Sequence, residues 1–230
     1  MSKGVFITGT DTDAGKTVVA CGILQGIADE GYSTAAVKPV AAGCELTPDG
    51  LRNDDALALM SAMTAEIPYA QVNPIALEAA MAPHIAAEKS GKRLDISRLA
   101  GYCRGVLMGS HDYVVIEGAG GWRVPVNPVQ TLADLARELR LPVVLVVGLK
   151  LGCINHALLS AEAIAADGLV LAGWVANTVD PDMACLEENV DSLRRRLPAP
   201  CLGVVPRLAQ ADAKSVAAHL NIEALLRQLG

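Results

Sequence analysis

The stretch from Gly4 to Thr17, read as GVFITGTDTDAGKT, decides the fold of this chain. Its first part, residues 5–8, is a β-branched and aromatic run that predicts a strand. The loop that follows ends in Gly15 and Lys16, and a long apolar helical pattern begins directly after Thr17. Strand, glycine-containing loop and helix in this order are typical of a phosphate-binding loop. We therefore expect a nucleoside triphosphate, with Lys16 on its phosphates and the Thr17 hydroxyl on a magnesium ion that they share.

The spacing of this loop is a variant. The common pattern Gly-x-x-x-x-Gly-Lys-Thr requires glycine at position 10, whereas this chain has Thr10 and places Gly9 one residue earlier. An ordinary strand-to-helix turn that happens to contain Gly-Lys-Thr is the alternative interpretation. The strand before the loop and the helix after it favour the phosphate loop.

Composition excludes several classes of protein. The 230 residues suffice for one large domain or two small ones, and we expect one. The chain has 19 Lys and Arg against 25 Asp and Glu, a net charge of -6, and no basic cluster with interleaved aromatic residues, which argues against a nucleic-acid partner. The basic run 194–196 falls near the end of a predicted helix, where cations complement the helix dipole.

Neither a membrane segment nor a targeting segment is expected. The longest apolar run, 141–149, contains Pro142 and Gly148 and is too short to cross a bilayer, so it predicts a buried strand. Residues 1–3 lead straight into the first strand and leave no room for a signal peptide, so we expect a cytoplasmic protein. The six cysteines form no Cys-x-x-Cys pair and are expected to be reduced thiols, mostly in the core.

Apolar strands alternate with helical patterns along the chain. Continuous apolar strands of this kind indicate a parallel sheet covered on both faces. We expect an α/β fold: a single domain over residues 1–230 with a doubly wound, mostly parallel sheet in a three-layer α/β/α arrangement, like that of P-loop NTPases. The predicted strands are 5–8, 34–40, 112–117, 142–147, 169–176 and 201–205; the predicted helices are 18–30, 54–63, 95–108, 131–140, 155–166, 182–196 and 213–228; residues 41–53 are predicted as a loop and 65–91 as loops and short helices.

Charged side chains end several of these strands, at the sheet edge where ligands bind in such folds. Glu117 ends a hydrophobic strand, and a buried acid there needs a cation. A magnesium ion held by Thr17, with Asp55 as a second carboxylate, is the expected partner; a salt bridge or a helix cap is the alternative. Lys38 lies between an apolar strand and Pro39 and is expected to face an anion, either a transferring phosphoryl group or a carboxylated substrate.

Several motifs together resemble the dethiobiotin synthetase family. The similarity runs in order from the N-terminus to about Pro206. The motifs are Gly-Thr-Asp-Thr-Asp-Ala-Gly-Lys-Thr at 9–17, Lys-Pro-Val at 38–40, Arg-Asn-x-Asp at 52–55, Val-Asn-Pro at 72–74, Pro-His-Ile at 83–85, Glu-Gly-Ala-Gly-Gly at 117–121, Gly-x-Lys-Leu-Gly-Cys-Ile-Asn-His at 148–156 and Gly-Trp-Val-Ala-Asn at 173–177.

The resemblance implies an ATP-dependent ligase of biotin biosynthesis. In this family 7,8-diaminononanoate takes up CO2 as a carbamate, ATP phosphorylates the carbamate, and the neighbouring amine closes the ureido ring. The products are dethiobiotin, ADP and phosphate. The resemblance also implies Mg2+, ATP as co-substrate and a homodimer with the substrate site at the subunit interface.

Roles for individual residues also follow from the resemblance. It implies catalytic roles for Lys38, Lys16 and Thr12, and magnesium binding by Thr17, Asp55 and Glu117. Substrate contacts are implied for Lys38, Gly121, Gly152, Cys153, Ile154 and Asn155, the last four offered by the partner subunit. Nucleotide contacts are implied for Asp13, Ala14, Gly15, Lys16, Thr17, Val18, Asp55, Glu117, Gly118, Ala119, Gly120, Asn177, Thr178, Pro206, Arg207 and Leu208.

The chain departs from the family pattern at two positions. Asp13 replaces a glutamate common in the family, and Ala42 stands where a serine often contacts the substrate, so no such contact is expected of Ala42.

Rival classes fit less well. A nucleotide-switched ATPase of the partitioning or positioning type would carry an extra lysine where this chain has Thr10. An accessory GTPase would carry Asn-Lys-x-Asp, but Thr178 follows Asn177. An amidotransferase-linked synthetase would need a glutaminase domain that 230 residues do not accommodate.

Overall fold

The computed structural model describes residues 2–230 and contains a main sheet, two small two-stranded sheets and flanking helices. The strands are β1 (Lys3–Gly9), β2 (Thr34–Val37), β3 (Val40–Ala42), β4 (Glu45–Thr47), β5 (Gly50–Arg52), β6 (Ile75–Leu77), β7 (Tyr113–Glu117), β8 (Val143–Leu149), β9 (Leu171–Thr178) and β10 (Cys201–Val205). The helices are α1 (Lys16–Asp29), α2 (Asp54–Ala62), α3 (Tyr69–Val72), α4 (Pro83–Lys89), α5 (Ile96–Leu107), α6 (Leu132–Leu139), α7 (Cys153–Ala166), α8 (Leu186–Arg196), α9 (Ala213–Ala217) and α10 (Ile222–Leu229).

The main sheet has six parallel strands in the order β10-β9-β8-β1-β7-β2. β1 is therefore an inner strand, and the chain adds strands on both sides of it. Parallel strands place their carboxyl ends at one edge of the sheet, so the phosphate loop after β1 lies between the ends of β7 and β8. This confirms the predicted doubly wound α/β/α domain.

Helices cover both faces of the sheet, as the continuous apolar strands predict. Along β8, Leu145 and Val147 belong to a buried cluster with residues of α7 and α8. Val144 and Val146, on alternate positions, belong to a second cluster that includes residues of α1. Because side chains alternate across a strand, the two clusters mark opposite faces of β8.

The predicted strand 34–40 is wrong at its end, and so is the predicted loop 41–53. β2 stops at Val37, and the N–H of Lys38 donates to the Val72 carbonyl, 2.7 Å away, instead of continuing the sheet. Pro39 has no N–H to donate, so the ladder cannot run through it. Residues 40–42 form β3, which pairs with β6 in a separate parallel sheet, and β4 and β5 form an antiparallel hairpin.

The remaining differences are smaller. The region 65–91 contains the expected short helices and also the unpredicted strand β6. The predicted helix 213–228 is two helices, because Asn221 donates its N–H to the Leu202 carbonyl and caps α10 with its side chain. Helix α8 begins at Leu186 instead of 182, and α7 begins at Cys153 instead of 155.

Most of the cysteines lie in the core. All six cysteines are free thiols, and Cys21, Cys44, Cys103 and Cys153 are buried, as expected. Burial raises the pKa of the Cys103 thiol to about 12. Across residues 2–230, no helix combines the length and apolar character that crossing a bilayer requires.

Helix α1 packs closely on the C-terminal helices through two glycines. A Cβ on Gly22 would lie 2.5 Å from Cγ1 of Val216, and a Cβ on Gly26 would overlap Cγ1 of Ile222. Both partners are buried and branched, so neither can move aside freely. The glycines therefore set how closely α1 approaches α9 and α10.

We predict that Gly26→Ala destabilises the protein although alanine is the better helix former. Overpacking against Ile222 costs about 1–3 kcal/mol, which exceeds the gain of about 1 kcal/mol in helix propensity. Gly101→Ala is the matched control, because a Cβ at Gly101 in α5 meets no atom within 4 Å and should stabilise the helix. Urea unfolding midpoints measure both; a Gly26→Ala protein as stable as the Gly101→Ala protein would contradict the packing.

Candidate active site

One cavity of about 730 Å3 lies at the carboxyl ends of the central strands. It is bounded by the phosphate loop, by the residues after β2 and β7 and by the start of α2. Among the residues predicted from the sequence, it is lined by Thr12, Asp13, Gly15, Lys16, Thr17, Val18, Lys38, Asp55, Glu117, Ala119 and Gly120. The structure therefore brings these residues together.

The phosphate loop is held in a tight conformation. Asp13 and Gly15 both have positive φ, 59° and 86°. A Cβ on Gly15 would overlap the side-chain amide of Asn177, so both the backbone angle and the close approach require glycine here. Asn177 Nδ2 donates to the Ala14 carbonyl at 3.0 Å. The end of β9 therefore supports the back of the loop.

Lys16 is buried at the start of α1 without a direct carboxylate contact. Its Nζ donates to the Asp11 carbonyl at 3.1 Å. Burial lowers the pKa of Lys16, although the nearby charge of Glu117 opposes the shift. Lys16 thus lies against the loop, and its ammonium contacts a neutral backbone carbonyl.

Lys38 connects two carboxylates at the floor of the cavity. Its Nζ lies 2.6 Å from Oε1 of Glu117 and 2.7 Å from Oδ2 of Asp55. Thr17 donates its hydroxyl to the same Oε1 of Glu117 at 2.8 Å. Glu117 is fully buried, at 0% exposure, and Lys38 is 4% exposed. The floor is therefore a cluster of a buried ammonium, a buried carboxylate and a second carboxylate, that of Asp55, which is half exposed.

The charges in this cluster stabilise one another. Burial by itself would lower the pKa of Lys38, but the negative charges of Glu117 and Asp55 outweigh it and the pKa is raised. Burial by itself would raise the pKa of Asp55, but the Lys38 ammonium outweighs it and the pKa is lowered. Both groups are therefore charged across the physiological pH range.

The oxygen atoms here fit a magnesium ion. Thr17, Asp55 and Glu117 offer one hydroxyl and two carboxylates, and Glu117 Oε2 is buried with no hydrogen-bond partner among residues 2–230. Magnesium prefers such oxygen donors, uses one or two carboxylates and completes its shell with substrate phosphates and water. No group of three or more His, Cys, Asp or Glu suited to a metal occurs within residues 2–230.

Three other predicted residues do not line the cavity. Gly118 donates its N–H to the Ile7 carbonyl at 2.9 Å, and Gly121 lies against the Gly9 and Thr10 backbone. Thr178 is buried at the end of β9.

Two predicted groups lie away from the cavity. Pro206, Arg207 and Leu208 follow the edge strand β10. Gly152, Cys153, Ile154 and Asn155 form the turn and first residues of α7, where Cys153 is buried and Gly152 and Asn155 are exposed. Leu151, directly before this turn, is 94% exposed.

Sequence reasoning missed part of the cavity wall. The additional lining residues are Ala41, Ala42, Ala80, Met81, Ala82, Pro83, Arg123, Val124 and Pro125. Arg123 is held by Asp167, with nitrogen–oxygen distances of 2.8 and 3.1 Å. A cation just after the glycine run 118–121 was a signal for Arg123. Ala42 and Pro83 stood at positions that the sequence motifs had singled out, whereas the other apolar residues carried no signal.

We predict that Lys38→Ala destabilises the protein by about 3 kcal/mol, because it leaves the Glu117 carboxylate buried without a cation. Adding Glu117→Gln to Lys38→Ala should recover at least a third of that loss, since a neutral amide costs less to bury. Urea unfolding without metal measures both proteins. A double variant no more stable than the single one would show that the ion pair does not compensate the burial of Glu117.

Comparisons with known structures support the fold. The chain superimposes on the Aquifex aeolicus MinC:MinD cell division protein complex with a TM-score of 0.60 and 14% identity, covering 98% of this chain and 95% of that chain. It matches a ParA family ATPase from Chlorobium tepidum with a TM-score of 0.56 and 13% identity, covering 99% and 97%. At these identities the likeness concerns the fold alone.

Comparisons with sequences identify the family. A family model described as an AAA domain matches residues 3–215. The ATP-dependent dethiobiotin synthetase BioD of Cellvibrio japonicus is 62% identical over 97% of this chain and 98% of that protein. The protein of the same name from Pseudomonas paraeruginosa is 59% identical over 96% of both chains, and that of Yersinia pestis is 48% identical over 96% of this chain and 92% of that protein. The chain therefore belongs to the dethiobiotin synthetase family.

Proposed function

We propose that this chain catalyses the ATP-dependent carboxylation and ring closure of 7,8-diaminononanoate to dethiobiotin, with ADP and phosphate as the other products. The observation that carries the proposal is the Lys38 ammonium, bound to Glu117 and Asp55 on the same cavity as the phosphate loop. Two carboxylates share this ammonium in the structure; with magnesium on those carboxylates, the Lys38 ammonium would be available to a phosphoryl group and to an anionic carbamate together. The name of the relatives supports the same activity.

The reaction needs positioning and charge neutralisation more than acid–base chemistry. One amine adds to CO2 and loses a proton, giving a carbamate. A carbamate oxygen attacks the γ-phosphorus of ATP, and the bond to the ADP oxygen breaks. The second amine then attacks the carbamoyl carbon and loses a proton to solvent, phosphate leaves with the former carbamate oxygen, and the ureido ring closes. Catalysis therefore depends on aligning two anions, which repel each other, in one desolvated site.

Lys16 and Lys38 supply the cations for this alignment. Lys16 lies on the phosphate loop, where we place the β- and γ-phosphates. Lys38 lies across the same cavity and would hold the carbamate against the transferring phosphoryl group. Thr12 lines the cavity beside the loop and completes the proposed catalytic set.

Magnesium is the cofactor that we propose. Thr17, Asp55 and Glu117 would hold it, and when bound it would neutralise charge on the β- and γ-phosphate oxygens. The unpartnered Glu117 Oε2 supports this assignment.

The remaining nucleotide contacts follow the carboxyl ends of the strands. We propose that the loop residues Asp13, Ala14 and Val18 and the backbone of 118–120 surround the phosphates. Asn177, Thr178 and residues 206–208 would approach the adenine, because β9 and β10 end on the β8 side of the phosphate loop. The binding of Ala14 by Asn177 supports this order.

We further propose that the working unit is a homodimer. Residues 152–155 lie outside the cavity and begin α7 beside the exposed Leu151. The partner subunit would present this turn to the distant carboxylate of the substrate. Gly121 would contact the substrate from the subunit that also supplies the cavity. Residues 1–230 would act as one domain in the cytoplasm, where thiols such as the six here stay reduced.

A nucleotide-switched ATPase of the partitioning type is not favoured. MinD- and ParA-type structures share the fold at 13–17% identity, whereas relatives up to 62% identical carry the synthetase name.

Phosphate release from ATP tests the proposed function. We expect release with Mg2+ only when 7,8-diaminononanoate and bicarbonate are both present, with a cyclic urea detected by mass spectrometry. Slow hydrolysis that is indifferent to the diamine would support the switch-type alternative instead.

We predict that Lys38→Ala lowers kcat by about 10²-fold or more, because it removes a cation from the reacting groups. The kcat of the variant is measured without urea, at a temperature at which circular dichroism shows that the variant is folded. Lys150→Ala is the control, since Lys150 is a partly exposed cation that contacts Asp11 at 3.2 Å outside this cavity. Unchanged turnover of Lys38→Ala would remove Lys38 from the mechanism.

We predict that mixing two inactive variants restores activity if the site is shared between subunits. Lys38→Ala damages the cavity, and Gly152→Val strains the turn, because Gly152 has φ of 96°. Co-expressed hybrids should contain one intact site per dimer and recover up to about half of the native activity, a ratio that follows from counting sites. Hybrids as inactive as either parent would contradict the shared site.

A further inference from the structure

A buried asparagine holds the backbone of Lys38. Asn73 is 3% exposed, and its Nδ2 donates to the Lys38 carbonyl at 2.8 Å. The N–H of Lys38 donates to the Val72 carbonyl at 2.7 Å. Both backbone groups of Lys38 are thus bound by the segment 72–73, and its position depends on where that segment lies. The Val-Asn-Pro motif at 72–74 thus supports the residue that we place on the reacting groups.

A tyrosine hydroxyl joins this segment to the start of helix α2. Tyr69 donates its hydroxyl to Oδ1 of Asn73 at 3.0 Å and accepts the backbone N–H of Asn53 at 2.8 Å. Asn53 caps α2 by accepting the N–H of Ala56. Asp55 lies in the first turn of the same helix. The hydroxyl therefore links the Lys38 segment to the helix that carries Asp55.

The contacts form a closed ring. It runs from the Lys38 ammonium to Asp55, through the start of α2 to Asn53, across the Tyr69 hydroxyl to Asn73, and back to the Lys38 carbonyl. Asn53 and Asn73 are both buried, so a broken link would leave a polar group without water to replace it. Linked hydrogen bonds strengthen one another, and together they hold the two segments in a single arrangement.

We infer that Tyr69 and Asn73 are positioning residues that hold Lys38 against Asp55. The inference rests on the proposed function only for its effect on turnover. Tyr69 and Asn73 do not line the cavity, so they act through Lys38. The motifs at 52–55 and 72–74 therefore belong to one hydrogen-bond network. The first motif supplies Asn53, the second supplies Asn73, and the Tyr69 hydroxyl connects the two.

Tyr69→Phe tests the inference because it removes only the hydroxyl. The aromatic side chain at position 69 is retained, and with it the contact to Arg52, whose Cζ lies 4.3 Å from the centroid of the Tyr69 aromatic ring. Tyr102→Phe is the matched control, since it removes a hydroxyl that accepts from Arg98 at 2.8 Å on an exposed face of α5. Each substitution is made in the native chain and in the Lys38→Ala background.

The first readout is the urea unfolding midpoint without ligands, which does not depend on any reaction. We expect Tyr69→Phe to lower the midpoint in the native chain and clearly less in the Lys38→Ala background, where the ring is already open. Tyr102→Phe should shift both backgrounds equally. Equal shifts for Tyr69→Phe in the two backgrounds would overturn the ring as a coupled unit.

The second readout is kinetic. We expect Tyr69→Phe to lower kcat about tenfold, as displaced supporting residues do, with KM for ATP unchanged within about twofold. In the Lys38→Ala background the same substitution should lower kcat by less than about twofold, because the group that it positions is absent. A tenfold loss in both backgrounds, or a Tyr69→Phe enzyme as active as Tyr102→Phe, would overturn the inference. If the native chain makes no cyclic urea, the proposed function is wrong. The unfolding midpoints then test by themselves whether Tyr69 and Lys38 are coupled.

Discussion

The burial of Glu117 is the constraint on which the site depends. A carboxylate at 0% exposure is stable only when cations or donors surround it. Lys38 and Thr17 meet one of its oxygens and leave the other without a partner. The same carboxylate therefore holds the lysine that we place on the reacting groups and offers an oxygen to a magnesium ion. Structural stability and the proposed chemistry use one group.

The topology of the sheet explains how residues far apart in the sequence form one site. β1 lies inside the sheet, and the strands on its two sides end at the same edge. The phosphate loop, Lys38 and Glu117 come from β1, β2 and β7, which are neighbours or next neighbours in that order. Asp55 comes from outside the main sheet, on α2, and must be brought in by other contacts. The hydrogen bonds of Asn53, Tyr69 and Asn73 bring Asp55 to the cluster. The position of Asp55 therefore depends on the segments 52–55 and 69–73, which lie outside the main sheet.

Regular patterns were predictable from the sequence and local exceptions were not. The phosphate loop and the six strands of the main sheet follow from apolar runs bounded by glycines and charged residues. The sequence also predicted Lys38, Asp55 and Glu117 as site residues, but it expected Lys38 to face a ligand anion and gave a salt bridge only as the alternative for Glu117, whereas the structure pairs Lys38 with both carboxylates. The small strands β3 to β6 were missed, because strands of three residues show no alternation and their pairing depends on distant partners. The break before Asn221 was missed because its N–H is taken by Leu202, a contact between segments far apart in the chain.

The same limit applies to the site. Ala80, Met81 and Ala82 line the cavity without any chemical signal in the sequence, because small apolar residues are equally common in cores. Tyr69 and Asn73 stood in or near a quoted motif, but only the structure shows that the Asn73 side chain binds the Lys38 carbonyl and that the Tyr69 hydroxyl binds Asn73.

The transfer of a carbamate oxygen to phosphate is the central step of the account, and labelled carbon dioxide tests it most directly. The native enzyme would be given ATP, Mg2+, 7,8-diaminononanoate and carbon dioxide labelled with oxygen-18, for a time short enough to limit exchange with water. Attack by the carbamate on the γ-phosphorus predicts that released phosphate carries a single labelled oxygen. Unlabelled phosphate formed alongside the cyclic urea would contradict a phosphorylated carbamate and would require another role for Lys38 and Lys16.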